Sequence, residues 1–349
     1  MLTSAGTIVL YTTVGGFLAV SLVDFFQGIL MFSALIVLPV TALFNMGGVS
    51  EIFQTISIVD ASYLDMLDNI KFVGMMSLFA WGLGYFGQPH INVRFMAIRS
   101  INELPIARRI CMIWMITSLI GAILTGIVGF VYFLTNPLVQ KETVFIALSQ
   151  GLFGPWIAGI LLSAVLSAII STVAAQILMI ANIFAEDFYH TLLRKHASNS
   201  EYLWVSRACI VLVSAFVILL ASNFETTILH AVAFAWSGLG ASFGPVILFS
   251  LYWRRMTREG AIAGVLIGAM SVIFLELLGI FSTKAIFSHQ DYLPGFNILP
   301  GFILGSIIIV LVSLKTNVPE KTILDEFDET LHRIKELESS YYIKKRDLI

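Results

Sequence analysis

Residues 81–90 read Trp81-Gly82-Leu83-Gly84-Tyr85-Phe86-Gly87-Gln88-Pro89-His90, a stretch that predicts a broken helix at the end of an apolar run. Pro89 has no backbone N–H, so the carbonyl of Tyr85, four residues earlier, loses its helical partner. The three glycines add backbone freedom and allow other groups to approach closely. In lipid, freed backbone groups are tolerated only where they are buried in protein or line a wet cavity. Interrupted helices of this kind mark substrate and ion sites in secondary transporters.

Trp81 and Tyr85 lie four residues apart, which places them on one face beside the break. They could form an aromatic wall for a small solute. The same residues also fit a proline kink flanked by aromatics at the membrane interface. The stretch alone leaves both interpretations open.

The composition is that of a polytopic membrane protein. Of 349 residues, 58% are hydrophobic and 12% are charged, and the mean hydropathy is +0.91. A soluble domain carries about 25% charged residues. Neither the net charge of −2 nor any basic cluster indicates a nucleic-acid partner, and we expect none.

A membrane-crossing helix needs about 20 mainly apolar residues, and eight segments meet this length approximately. They are 17–44, 69–89, 110–134, 155–184, 205–222, 228–252, 260–281 and 298–314. We also expect a partly helical external loop over 50–67, a short interfacial helix over 142–150, and an amphipathic helix in the charged tail. Tyr11 to Gly16 reads as the end of one helix and a tight turn into the next.

The basic residues predict the orientation. Seventeen of the twenty Lys and Arg fall on one set of connections and in the tail, and only Lys71, Lys141 and Lys284 fall on the other. Because cytoplasmic loops carry the excess of Lys and Arg, we expect a cytoplasmic C-terminus. We divide the chain into a transmembrane domain, 1–315, and a charged cytoplasmic tail, 316–349.

Two acidic residues fall inside predicted spans, where a carboxylate is costly and usually faces a cavity or a partner. Asp24 lies between Ser21 and Gln27 on a polar stripe. For its carboxylate we favour a role on a cation path over a structural hydrogen bond. Glu276 lies near the outer end of its span, and we expect a structural role for it.

Ser163, Ser167 and Ser171 recur every four residues on another predicted span. Small residues at this spacing favour helix packing. Their hydroxyl oxygens could also bind a hard cation such as Na⁺, although one helix cannot complete such a site. From the residues alone, packing is the better interpretation.

No sequence pattern of a zinc hydrolase, a serine hydrolase or a phosphate-binding loop occurs. An intramembrane hydrolase using Ser171 or Asp24 needs a second matched group that the sequence does not indicate. We therefore expect no enzymatic activity and no organic cofactor.

Three stretches resemble the sodium/solute symporter family. They are Tyr11 to Val20, Trp81 to His90 continuing into Val93-Arg94-Phe95-Met96-Ala97, and Ser167-Ala168-Ile169-Ile170-Ser171-Thr172. The run Gly87 to Ile91 followed by Arg94 to Ala97 is the most specific of them, and the resemblance extends to about Leu314. It implies an all-α fold like that of the leucine transporter, with two inverted five-helix repeats around a central site.

The resemblance also implies a function: uptake of L-proline coupled to Na⁺ across the bacterial plasma membrane. On the family pattern, Ser171, Thr172 and the Ala168 carbonyl bind Na⁺, which makes the cation interpretation the favoured one. Trp81, Tyr85 and Pro89 line the proline pocket with Gln88 as a polar neighbour, and Asp24 lies on the sodium exit path.

The family usually has about thirteen helices, and this chain matches about the last eight. We therefore expect an N-terminally truncated symporter, with a partial first repeat, that a separate N-terminal fragment could complement. Two other hypotheses remain: a non-transporting remnant or membrane subunit, and a sodium symporter for another small carboxylate such as pantothenate.

Overall fold

The computed structural model describes residues 2–65, 72–222, 228–278 and 297–346, with only the backbone for 2–5, 72–74, 228–230 and 338–346. Within these residues the chain is helical and contains no strand. The α-helices are α1 Leu2–Asn45, α2 Val49–Val59, α3 Phe72–Ala80, α4 Pro89–Met96, α5 Leu104–Tyr132, α6 Val144–Leu152, α7 Pro155–Asn182, α8 Asn199–Ser222, α9 Ile228–Tyr252, α10 Arg258–Leu278, α11 Ile298–Lys315 and α12 Lys321–Arg346. Short 3₁₀ helices cover Ala61–Leu64, Trp81–Gly87, Ile101–Glu103 and Lys141–Thr143, and a π-helix over Ile183–Leu193 continues α7.

Seven helices in the described part of the chain are long and apolar enough to cross a membrane. They are Gly6–Asn45, Ile101–Tyr132, Pro155–Leu193, Asn199–Ser222, Ala231–Tyr252, Arg258–Leu278 and Ile298–Lys315. The predicted span 69–89 is not among them, because α3 ends at Ala80 and the chain enters a 3₁₀ helix there. Residues 69–71 lie outside the described residues.

Helix α1 is interrupted where the sequence predicts a turn. Gly16 has φ 56° and ψ −153°, a conformation that L-amino acids with a side chain rarely adopt. The predicted span 17–44 corresponds to the part of α1 after this break. The predicted helices in the loop after α1 and before Gly151 are also present, as α2 and α6.

The chain divides into two compact units, Met1–Asp68 with Glu103–Phe224 and Asn69–Asn102 with Glu225–Ile349. In the first unit, Ile8 and Val20 of α1 pack with Ala174 and Ile177 of α7 and with Ile210 of α8. A second cluster joins Ala34 and Leu38 of α1 to α6 and α7.

In the second unit, helices α9, α10 and α11 pack closely through small residues. A Cβ atom at Gly264 would lie 2.8 Å from Ile309 Cδ1, and one at Gly268 would lie 2.7 Å from the Ala241 carbonyl carbon. Glycines at this four-residue spacing let membrane helices approach closely.

Helix α12 in the tail is attached to the connection before α10. Arg254 donates two hydrogen bonds to the Asp328 carboxylate, at 2.9 and 2.6 Å. Arg255 also donates to the carbonyl oxygen of Thr316 at 2.9 Å. The predicted tail helix is therefore present, while the division between residues 315 and 316 into two domains stays a prediction.

Candidate functional site

The helix break begins at Trp81, eight residues before Pro89. The 3₁₀ helix Trp81–Gly87 follows α3 directly, and Gln88 is extended, with φ −88° and ψ 109°. Pro89 begins α4, a position where its missing N–H costs nothing. The Tyr85 carbonyl does lose its helical partner as predicted, but it accepts a 3.3 Å hydrogen bond from the Gln88 N–H.

Side chains satisfy three further carbonyl groups in the break. The Trp236 Nε1–H donates to the carbonyl of Trp81 at 2.9 Å. The Gln88 Nε2 donates to Gly84 at 3.3 Å, and the Asn92 Nδ2 donates to Phe86 at 2.9 Å. These bonds satisfy carbonyl groups that the break takes out of the helical pattern, and such groups are costly to leave unsatisfied in a membrane.

Three aromatic side chains form a cluster on one side of the break. The Trp81 ring stacks on the Trp236 ring with centroids 5.6 Å apart and planes 15° apart. Tyr85 meets the same indole edge-on, at 4.8 Å and 87°. The predicted aromatic face is therefore present, and its centre is Trp236 on α9.

Glycines allow this close packing. A Cβ atom at Gly84 would overlap the Trp236 indole and lie 2.6 Å from its Cε2. One at Gly87 would lie 2.7 Å from Gly240 Cα. Gly82 differs, because a Cβ atom there would meet nothing within 4 Å. The break is therefore held tightly against α9 on the face of Gly84 and Gly87.

Trp236 is absent from the residues that the sequence singled out. The signal for it was present: a tryptophan in the middle of an apolar span, followed by Ser237, Gly238, Gly240 and Ala241. Small residues beside a large one on a membrane helix indicate a close approach of another backbone.

The predicted substrate residues differ in accessibility. Tyr85 is 46% exposed, and Trp81 and Pro89 are half-buried. Gln88 is 3% exposed and its amide nitrogen is bonded to Gly84. The Tyr85 side chain is therefore accessible and those of Trp81 and Pro89 are partly so, whereas the buried Gln88 amide stabilises the break itself.

The three predicted sodium-binding residues are adjacent on α7. The hydroxyl of Ser171 donates to the Ala168 carbonyl at 3.2 Å, and that of Thr172 donates to the same carbonyl at 3.0 Å. Three oxygen atoms therefore converge on one helix turn. Each hydroxyl oxygen keeps lone pairs for a cation, and oxygen ligands of this kind replace the hydration shell of an alkali ion.

Asp24 is half-buried on α1, and one of its carboxylate oxygens is closed to solvent. It lies close enough to Tyr11, on the other side of the Gly16 break, for the two side chains to interact electrostatically. Ser21, which shares the predicted polar stripe, donates to the Phe17 carbonyl at 2.8 Å.

Asp24, Ala168, Ser171 and Thr172 belong to the first compact unit, and Trp81, Tyr85, Gln88 and Pro89 to the second. Within the part of the chain that the structure describes, no group of three His, Cys, Asp or Glu residues could hold a metal ion. Glu276 accepts a 2.8 Å hydrogen bond from Asn297, in line with the structural role expected for it.

The seven apolar spans in the described part of the chain define a multi-pass membrane protein, and its interrupted helix is of the kind found in secondary transporters. The profile of the Sodium:solute symporter family matches residues 1–268. The chain belongs to this family, which confirms the resemblance seen in the sequence.

Two relatives illustrate the similarity. The chain is 45% identical to the sodium/proline symporter of Escherichia coli (strain K12), with 93% of this chain and 64% of the relative covered. It is 44% identical to the high-affinity proline transporter PutP of Bacillus subtilis (strain 168), with 93% and 67% covered. The chain thus spans about two thirds of the length of these relatives.

The fold is similar to that of a Na⁺-coupled sialic acid symporter solved in a substrate-bound outward-open state. The TM-score is 0.66 at 18% identity, and the match covers 90% of this chain and 66% of the other. The expected all-α fold of this transporter class, like that of the leucine transporter, is therefore confirmed.

Proposed function

We propose that the chain takes part in Na⁺-coupled symport of L-proline. The proposal rests first on its similarity, over 93% of its length, to proteins named as proline transporters. It is supported by the aromatic face at the helix break, on which Tyr85 is exposed, and by the three oxygens that converge on α7.

In this proposal the proline ring lies against Trp81 and Tyr85, with Pro89 beside them. The flat faces of the aromatic rings suit an apolar pyrrolidine ring, because burial of both surfaces is favourable. Gln88 and Trp236 hold the backbone of the break in place. They act as positioning residues in this scheme.

Na⁺ is carried together with proline and binds at Ala168, Ser171 and Thr172, together with oxygens from other segments. The carboxylate of Asp24 then receives the ion on its way to the cytoplasm. Proline transport is coupled to Na⁺ if both ligands bind the same one of two conformations more tightly. The direction of transport is set by the sodium gradient.

We further propose that the protein resides in the bacterial plasma membrane with its C-terminus in the cytoplasm. This orientation rests on the basic residues, which the cytoplasmic side of a membrane protein carries in excess. The test is the reaction of single introduced cysteines with an impermeant reagent in whole cells. A cysteine in place of Lys141 should react, and one in place of Lys321 should not.

Binding of labelled proline to the purified chain in detergent tests the site. We expect binding that requires Na⁺ and that weakens about tenfold or more in Tyr85→Ala, a loss of about 1.4 kcal/mol. The matched control is Phe86→Ala, since Phe86 is 41% exposed against 46% for Tyr85 in the same 3₁₀ helix.

Two outcomes of this assay would contradict the proposal. Equal losses in the two variants would remove Tyr85 from the pocket. Displacement of the label by pantothenate at a lower concentration than by unlabelled proline would assign the site to another carboxylate.

A further inference from the structure

A cavity of about 380 Å³ lies in the first compact unit, where α5 ends and α6 begins. Its walls include Gly126 and Phe130 of α5, Phe133 and Leu134 of the connection, Lys141, and Val144 of α6. This volume is within the range of about 300–1,000 Å³ that is usual for ligand sites. None of the predicted site residues lines it.

Glycine at position 126 keeps this space open. A Cβ atom at Gly126 would meet nothing within 4 Å, whereas one at Gly129, one turn later, would overlap Val144. Helices α5 and α6 therefore meet at Gly129 and separate beside Gly126. A methyl group at position 126 would therefore meet no protein atom, at a residue that lines the cavity.

The position along α5 places the cavity near a membrane surface. At about 1.5 Å per residue, the 29 residues of α5 extend about 43 Å, against about 30 Å for the hydrocarbon core. The final turns of α5 thus reach the level where acyl chains meet headgroups. Apolar walls at this level are accessible to a lipid chain.

The positive charge of Lys141 indicates which kind of lipid would bind in the cavity. Among the described residues that line it, Lys141 is the only charged one, and the described part of the chain gives it no ion pair. The neighbouring Glu142 is exposed and does not line the cavity. A lysine above apolar walls complements an amphiphile with an anionic head, since a lysine near a membrane attracts anionic lipid by about 1 kcal/mol.

We propose that this cavity binds an anionic phospholipid, with an acyl chain against Phe130, Phe133 and Leu134 and the headgroup phosphate at Lys141. None of the residues that line it belongs to the aromatic face at the helix break. The existence of this lipid site does not depend on which solute the protein transports.

Native mass spectrometry of the purified full chain in detergent tests the proposal. The probes are phosphatidylglycerol and phosphatidylcholine with the same palmitoyl and oleoyl chains. We expect the first phosphatidylglycerol to bind about fivefold more tightly than phosphatidylcholine. Lys141→Gln should make the two lipids equal, while Lys195→Gln, an exposed lysine elsewhere, should leave the preference unchanged.

Filling the cavity supplies a second measurement. Gly126→Leu should weaken binding of both lipids at the first site. Gly159→Leu is the matched control and should leave binding unchanged, because a Cβ atom at Gly159 also meets nothing within 4 Å but Gly159 does not line the cavity. If Gly126→Leu fails to fold, the exposed Lys141→Gln variant decides the matter alone.

Three results would overturn the proposal. One is equal affinity for the two lipids in the unsubstituted chain, and another is a preference that survives Lys141→Gln. The third is tighter binding of dodecanoate than of phosphatidylglycerol, which would assign the cavity to a single-chain anion.

Discussion

Replacement of Gly84 by alanine should disrupt the helix break. The new methyl group would overlap the Trp236 indole and lie 2.6 Å from its Cε2, so the indole must move. That movement removes the 2.9 Å hydrogen bond to the Trp81 carbonyl and separates Trp236 from both aromatic partners.

The size of the effect follows from these contacts. Overpacking costs about 1–3 kcal/mol, an unsatisfied buried carbonyl about 1–3 kcal/mol, and loss of an aromatic pair about 0.5–1.5 kcal/mol. The opposing gain from a stiffer unfolded chain is about 0.4–1 kcal/mol. Because one movement of the indole causes all three losses, they do not add fully, and we expect a net loss of about 2–4 kcal/mol.

Gly82→Ala is the matched control. It makes the same chemical change two residues earlier in the same 3₁₀ helix, where the Cβ atom meets nothing within 4 Å. We expect it to leave the stability unchanged or to raise it by up to about 1 kcal/mol.

Unfolding in mixed micelles with increasing sodium dodecyl sulfate, followed by far-UV circular dichroism, measures both free energies. A difference of less than about 0.5 kcal/mol between the two variants would refute the packing of the break on Trp236, since surface substitutions alone vary by this amount.

Two further predictions concern the sodium residues and the tail. Ser171→Ala should raise the Na⁺ concentration for half-maximal proline binding by about tenfold or more, since a hydrogen bond or similar contact to a charged group contributes about 1.5–3 kcal/mol. Ser163→Ala, about two turns earlier on the same stripe, should leave that concentration unchanged, and an equal effect of both would contradict the assignment. Asp328→Asn should speed hydrogen exchange in α12 by up to about fivefold, because an exposed ion pair contributes at most about 1 kcal/mol. Glu326→Gln makes the same change of charge on α12, and faster exchange in both variants alike would show that the Arg254 contact is not responsible.

The features that could be predicted from the sequence depend on residues that lie close together in the chain. Pro89 and the glycines of 81–90 indicated a broken helix because proline and glycine act within one or two turns of their own position. The convergence of Ser171 and Thr172 on the Ala168 carbonyl is similarly local, since it joins residues three and four apart. Their role in sodium binding stays a prediction, which came from the resemblance to the family and not from their spacing.

Contacts between distant segments could not be predicted in the same way. Trp236 bonds to Trp81 across 155 residues, and Arg254 to Asp328 across 74. Which helix packs on the break depends on the complementary shapes of two segments, which a single sequence does not specify. The role of Gln88 as a polar neighbour of the solute stays a prediction, while its buried amide donates to the Gly84 carbonyl four residues earlier.

Uptake of labelled proline into proteoliposomes tests the central claim most directly. The protein is reconstituted with an inward Na⁺ gradient, and a parallel sample receives an ionophore that collapses the gradient. Na⁺-coupled symport predicts that internal proline rises above the external concentration only while the gradient lasts. Accumulation that persists after the gradient has collapsed, or its absence while the gradient is intact, would contradict the claim.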